Sequence, residues 1–237
     1  MDRRSREAME ASRKVASNHG HTVPEGLMGF AHLLEALPLL TMVRFGQWDT
    51  IVNEPVPAPH QPFVRSMYHF ARGMAFSAGE KPVQAKAELE SAQQYASDPA
   101  LESVKILDLN PLADIAEIGI WMLRSDIAEE TGLHQEAITA FRRAVVIEDG
   151  LLYSEPPDWF VSPRHYLGHA WLMADKPAEA ERVYREDLKR HRRNGWALRG
   201  LEESLRRQGR TEEADRVRTE FQRAWQRADI KLAASRF

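Results

Sequence analysis

Four alanines set a register along this 237-residue chain. Ala85, Ala137, Ala180 and Ala214 each lie early in a helical stretch that follows a helix-breaking turn. Twelve residues before them stand Gly73, Ser125, Gly168 and Glu202. Nine before stand Phe76, Ala128, Trp171 and Leu205, and four after stand Leu89, Phe141, Tyr184 and Arg218. A small residue where two helices cross lets the backbones approach, and a large one beside it fills the space left over. A helical hairpin of this size cannot bury its apolar face alone, so the chain is confined to hairpins that hide one another's flanks.

Helical periodicity runs through the whole sequence. In "EAITAFRRAVVIE", Ala137, Phe141 and Ala144 share one face and Arg142 and Arg143 the other. In "AEAERVYREDL", Ala180, Val183, Tyr184 and Leu188 do the same. The strings "FGQWD", "TGLHQ", "MADKP" and "RQGRT" each end one helix and begin the next. No Asn-Gly or Asp-Gly turn joins two apolar runs, so strand signals are scarce. The chain reads as all-α.

The spacing is uneven. Ala180 and Ala214 are 34 residues apart, Ala137 and Ala180 are 43, and Ala85 and Ala137 are 52. The extra residues fall around "LLYSEPPDWFVSP" and "SDPALESVKILDLNP". The expected units are a half unit at about 3–18, then 25–54, 62–97, 111–149, 159–193 and 194–227, with a tail over 228–237 packed on the last pair. Together they form one domain. Residues 3–17 serve either as an N-terminal cap or as the remnant of a longer array. The last helix is expected to cover the exposed edge with Val217, Phe221 and Trp225 inward and Arg218, Arg223 and Arg227 outward.

This pattern resembles the tetratricopeptide repeat (TPR): 34 residues, helix–turn–helix, W-x2-L-G-x2-Y followed by A-x3-F. The strings "LTMVRFGQWDTIV", "YSEPPDWF", "YREDLKRHRRNGWALRGL" and "ADIKLAASRF" are similar to a bacterial TPR-containing family with irregular linkers. The resemblance implies a right-handed α-solenoid whose first helices line a concave groove. The groove positions it selects are Phe70, Met74, Met122, Asp126, His165, His169, Arg199 and Glu203. Their run from apolar to imidazole to charged suits an extended or helical peptide. The Lys/Asn set with which some TPR proteins clamp a terminal carboxylate is not in these positions.

Composition narrows the function classes. A hydrophobic fraction of 43% and a charged fraction of 28% are those of an ordinary globular chain. The net charge of −3 is wrong for a whole-molecule nucleic-acid or membrane binder, although residues 176–237 carry 17 Lys/Arg against 11 Asp/Glu. There is no cysteine, which excludes disulfides, thiolate metal sites and thiol nucleophiles. The first twenty residues have no apolar core of a secretory signal, and "ALPLLTMV" is far too short to span a bilayer. A cytoplasmic location is the expectation.

The chemistry-bearing features are few. His165 and His169 are four apart on one helix and, with Asp126 one unit away, form a weak candidate metal set; "HYLGH" lacks the Glu of a metalloprotease helix. In "SEPPDWF", Asp158 is a candidate helix cap, and Trp159 either projects as a contact or plugs a gap between units. Asn110 or Asp108 is the matching cap at the other insertion, ahead of Pro111. "KRHRRNG" reads as charge placed at a helix end, and paired carboxylates such as Glu129 with Glu130 read as helix surface. No nucleophile–base set, P-loop or dinucleotide fingerprint is present. The expected function is a non-catalytic scaffold holding a peptide or protein, without a cofactor. Self-association through the N-terminal half unit is a further possibility. The alternative is a small-molecule or metal-binding accessory protein, or an enzyme, using the His165/His169 region.

Overall fold

One turn recurs five times among the described residues. Gly46, Glu80, Gly132, Asp175 and Gly209 all have φ between 54 and 79°. In each case the next residue's N–H bonds a carbonyl five residues back: Gln47 to Met42, Lys81 to Phe76, Leu133 to Ala128, Lys176 to Trp171 and Arg210 to Leu205. This is a left-handed helix stop that satisfies the last carbonyls of one helix, and a new helix opens one residue later. Glycine supplies the conformation at three positions. Glu80 and Asp175 adopt it at some steric cost, and each is followed two residues on by a proline that opens the next helix.

The structure is a computed structural model and describes residues 4–17, 23–159 and 161–237. It is all-helical, 71% helix, with twelve helices among the described residues and neighbouring helices packed together. They are α1 (Ser5–Ser17), α2 (Met28–Arg44), α3 (Trp48–Val52), α4 (Pro62–Ala78), α5 (Pro82–Ala96), α6 (Ala100–Ser103), α7 (Leu112–Glu130), α8 (His134–Gly150), α9 (Pro163–Met173), α10 (Pro177–Arg190), α11 (Gly195–Arg207) and α12 (Thr211–Trp225). The recurring turn joins α2 to α3, α4 to α5, α7 to α8, α9 to α10 and α11 to α12. Successive pairs touch: α2 and α3 pack on α4, α4 and α5 on α7, α8 on α9, and α10 on α11. No helix among the described residues is long and apolar enough to cross a membrane.

The register alanines lie at helix contacts. Ala85, Ala137, Ala180 and Ala214 are all fully buried. The third unit explains why small residues are needed there. Tyr184 is buried between α9 and α11, and a Cβ added at Gly168 or Gly200 would sit 2.3 or 2.2 Å from its ring. One core runs from α2 to α9, a second surrounds Tyr184, and a third joins Phe45, Trp196 and Leu232. Ala8, Phe221, Trp225, Ile230 and Phe237 pack on the third, so it draws on both ends of the described chain.

The two insertions are tied to each other. The first holds α6 and a two-residue antiparallel pair, Lys105–Ile106 with Asn110–Pro111. Asn110 is not a cap: its side chain donates to Leu152 O at 2.9 Å and to Asp158 at 2.7 Å, and accepts from Leu152 N at 2.8 Å. Asp158 does not cap a helix either, because it also accepts from Ser154. The N-cap of α9 is Ser162. A buried amide satisfied on both ends by a chain 42 residues away fixes the second insertion where cap chemistry would have left it loose.

Candidate functional site

Residues 228–237 are non-helical and do not stay on the last helix pair. They turn back at Trp225, whose Nε1 donates to Ile230 O at 3.0 Å, and run across the first helices of the pairs. Arg199 of α11 donates to Ala233 O at 3.1 Å. Ser235 donates to His165 O of α9 at 2.8 Å and accepts from the Tyr184 hydroxyl at 2.7 Å. Arg236 reaches α7, and Phe237 lies against Gly46 in the α2–α3 turn. At the other end of the segment, Asp229 accepts the backbone N–H groups of Ser5 and Arg6, at 2.8 and 3.3 Å. A carboxylate is thus placed at the positive end of α1, which favours its ionised form and lowers its pKa.

The anchor of this segment is electrostatic. The Arg236 guanidinium is almost fully buried, over the Tyr166 ring at 5.2 Å. Its nitrogens lie 2.5 Å from Asp126, 3.0 Å from Glu129 and 3.2 Å from Glu130. Three carboxyls around one cation leave an excess of negative charge in a dry place. Burial, opposed by Arg236 and reinforced by Asp126 and Glu130, pushes the Glu129 carboxyl up to about 8. His169, with Nε2 3.8 Å from Glu129, is held neutral: burial and the charges of Arg236 and Arg207 bring it down to about 3.

The residues selected from the repeat register are therefore not an open lining. Phe70, Met74 and Met122 are core side chains with no surface to offer a partner. Asp126 and His169 are taken up by the Arg236 cluster, and Arg199 is divided between Glu202 and Ala233 O. Glu203 pairs with Arg207 at 2.8 Å. His165 has other partners than His169, with Nε2 2.8 Å from Asn194 and 3.5 Å from Asp187. The candidate metal set of His165, His169 and Asp126 is thus divided between two sets of partners, the Arg236 cluster for Asp126 and His169 and the Asn194–Asp187 pair for His165. Trp159 is not a projecting contact: it is buried, packs on Phe70 and donates to Val161 O. Glu129, expected on a helix surface, is buried as well.

A second feature lies beside His165. A cleft of about 810 Å³ opens between residues 151–159 and the α10–α11 connection. Trp159, His165, Asn194 and Trp196 are among its lining residues. Trp196 is stacked on by Arg44, 4.3 Å from its ring centroid, and meets Trp225 edge-on. Asp187 underlies the basic side. Burial works against its ionisation, but His165 and His191 hold it well below the usual carboxylate range, and its bond to His191 raises that imidazole.

Sequence periodicity missed Arg236, Ser235 and Asp229. They lie outside any repeat unit, and each meets its partner across 51 to 224 positions. The only local signal was the apolar character of "IKLAASRF", which marks a tail that packs but not where. No protein-family model matches the chain, and no curated protein matches it either.

Proposed function

We propose that the chain is a non-catalytic binding scaffold of TPR type, a right-handed solenoid whose first-helix face takes an extended polypeptide. One observation carries the reading. That face is occupied in the structure by a peptide segment, residues 228–237, held through its main chain at Ala233 and its side chains at Ser235 and Arg236. Backbone contacts give such a face affinity for any extended chain, and a buried anionic pocket for one arginine gives it selectivity. The repeated turns, the buried alanines and the packing of successive pairs support the solenoid. On this reading the tail is the resident ligand, and a partner carrying an arginine at the matching place competes with it.

The test is to place a protease site between residues 227 and 228 of the full chain, cleave it folded, and follow the ten-residue piece. It should stay with the body on gel filtration and exchange with added labelled peptide ADIKLAASRF. The same peptide with its arginine replaced by alanine should bind at least tenfold more weakly. Immediate release of the piece from a body that keeps its helical circular dichroism, with no uptake of labelled peptide, would count against the proposal.

A further inference from the structure

We infer that the cleft between residues 151–159 and the α10–α11 connection is a binding site for a small organic anion. The ligand it fits has an apolar, preferably aromatic, body and a carboxylate or phosphate head. This goes beyond the polypeptide face, whose arginine pocket of Asp126, Glu129 and Glu130 lies outside the cleft lining.

Three observations point there. The first is the cavity itself: about 810 Å³ is within the range of small-molecule sites, and aromatic rings line it. The second is the division of its walls. Residues 151–157 offer Leu151, Leu152, Tyr153 and Pro157, with Leu152 58% and Tyr153 82% exposed to water. Large apolar side chains left bare at the mouth of a cavity are surface that a ligand's body would cover. The facing wall is Arg190, His191, Arg192 and Arg193.

The third is the charge account. The lining carboxylates are already engaged. Glu148 is 2.7 Å from Arg164, Asp158 bonds Asn110 and Ser154, and Glu155 accepts from the Tyr153 hydroxyl. Arg164 and Arg190 are likewise held, both by Asp149. Arg192 and Arg193 differ: they are exposed on the rim, and neither forms an ion pair among the described residues. His191 beside them leans toward its charged form. A head group of one or two negative charges balances that rim, while its body lies between Leu152, Tyr153 and the Trp159 side.

Both walls are fixed before any ligand arrives. The Asn110 clamp holds Leu152 and Asp158, and Arg190 is tied to Asp149 while Asn194 bonds Asp187 at 2.9 Å. A site already in place loses little affinity to ordering. The limited volume and the single basic rim favour a small molecule over an acidic polypeptide.

Four probes separate the contributions on the full-length protein: 1-naphthyl phosphate, 1-naphthol, inorganic phosphate and hexaglutamate, each titrated calorimetrically at low salt. Naphthyl phosphate should bind saturably, at least tenfold tighter than naphthol or phosphate alone. Arg192→Glu with Arg193→Glu should weaken it tenfold or more, and Leu152→Ser with Tyr153→Ser should weaken it by a smaller factor. All four side chains are at the surface, so the variants keep their fold, checked by an unchanged melting temperature. Glu130→Gln, at the exposed edge of the Arg236 cluster and outside the cleft lining, should leave the affinity as it is, which separates this result from that of the polypeptide face. Absence of saturable naphthyl phosphate binding overturns the inference. So does equal binding by the double-glutamate variant, or tighter binding of hexaglutamate through the same arginines, which would make the rim a docking surface for acidic protein.

Discussion

Replacing Arg236 with alanine tests the buried anchor most directly. The guanidinium is 7% exposed, and two of its partners, Asp126 and Glu129, are 0% and 5% exposed. At a separation of 2.5 Å the attraction to Asp126 is on the order of 7 kcal/mol for an effective dielectric near 20, before desolvation is subtracted, while Glu129, protonated below about pH 8, adds a hydrogen bond rather than a second full charge. Glu130 is about a third exposed and screened, so it adds little. Removing one partner of a buried ion cluster typically costs about 3–5 kcal/mol, because the remaining charges are left without compensation. The chain can lessen that cost by releasing residues 230–237 and letting water reach α7. The expected loss is therefore about 3 kcal/mol, near the lower end, and in a domain of this size it lowers the melting temperature by about 6–12 °C. Urea unfolding measures the first quantity, and hydrogen exchange at residues 230–237 measures the release. Arg236→Met combined with Asp126→Asn and Glu129→Gln should recover most of the loss, since the stranded charges are what make the single change costly. A loss under about 1 kcal/mol with tail exchange unchanged would refute the account of the anchor.

Glu129 has a folded pKa of about 8 against an ordinary 4.5, so the folded state keeps a proton that the unfolded state has released between those values, and stability falls as pH rises through that window. His169, lowered to about 3, acts in the opposite sense below pH 6.5, so the diagnostic interval is pH 6.5–8. There Glu129→Gln should flatten the decline by up to about 1.4 kcal/mol per pH unit, read from urea unfolding at several pH values; an unchanged slope would sink the assignment. Gly200→Ala drives a Cβ to 2.2 Å from the Tyr184 ring and should cost about 1–3 kcal/mol, with Tyr184→Leu as a second-site rescue. Asn110→Ala leaves Asp158 and the Leu152 backbone short of partners, for a loss of about 1–3 kcal/mol. Amide exchange over residues 151–159 should quicken in that variant, and unchanged protection would show that the clamp does not hold the loop.

How far the sequence reached depends on whether a feature is local. The breaks at "FGQWD", "TGLHQ", "MADKP" and "RQGRT" fall where α2, α7, α9 and α11 end and their partners begin, because turn chemistry is written in three or four adjacent residues. The break at "GEKP" uses the same left-handed conformation but carries it on Glu80, so glycine counting understates the regularity. The alanine register located four helix contacts. What it could not contain is anything aperiodic. The pairing of Asn110 with Asp158, of Asp229 with Ser5, and of Arg236 with α7 has no counterpart in neighbouring units. Glu129 looked like solubilising surface for the same reason: its burial is imposed by a segment more than a hundred residues away.

The bond from Asp229 to the first turn of α1 has a further effect on cooperativity. A row of helices in which each touches only the next can melt inward from either extremity, one element at a time. Here the opening helix is fastened to the closing strap, and the strap to α7, α9 and α11. Fraying at one extremity must therefore loosen the other, and the chain should unfold as a buckled belt does, all at once. During synthesis Asp229 is made 224 residues after Ser5, so α1 waits for that partner until the segment carrying it has emerged.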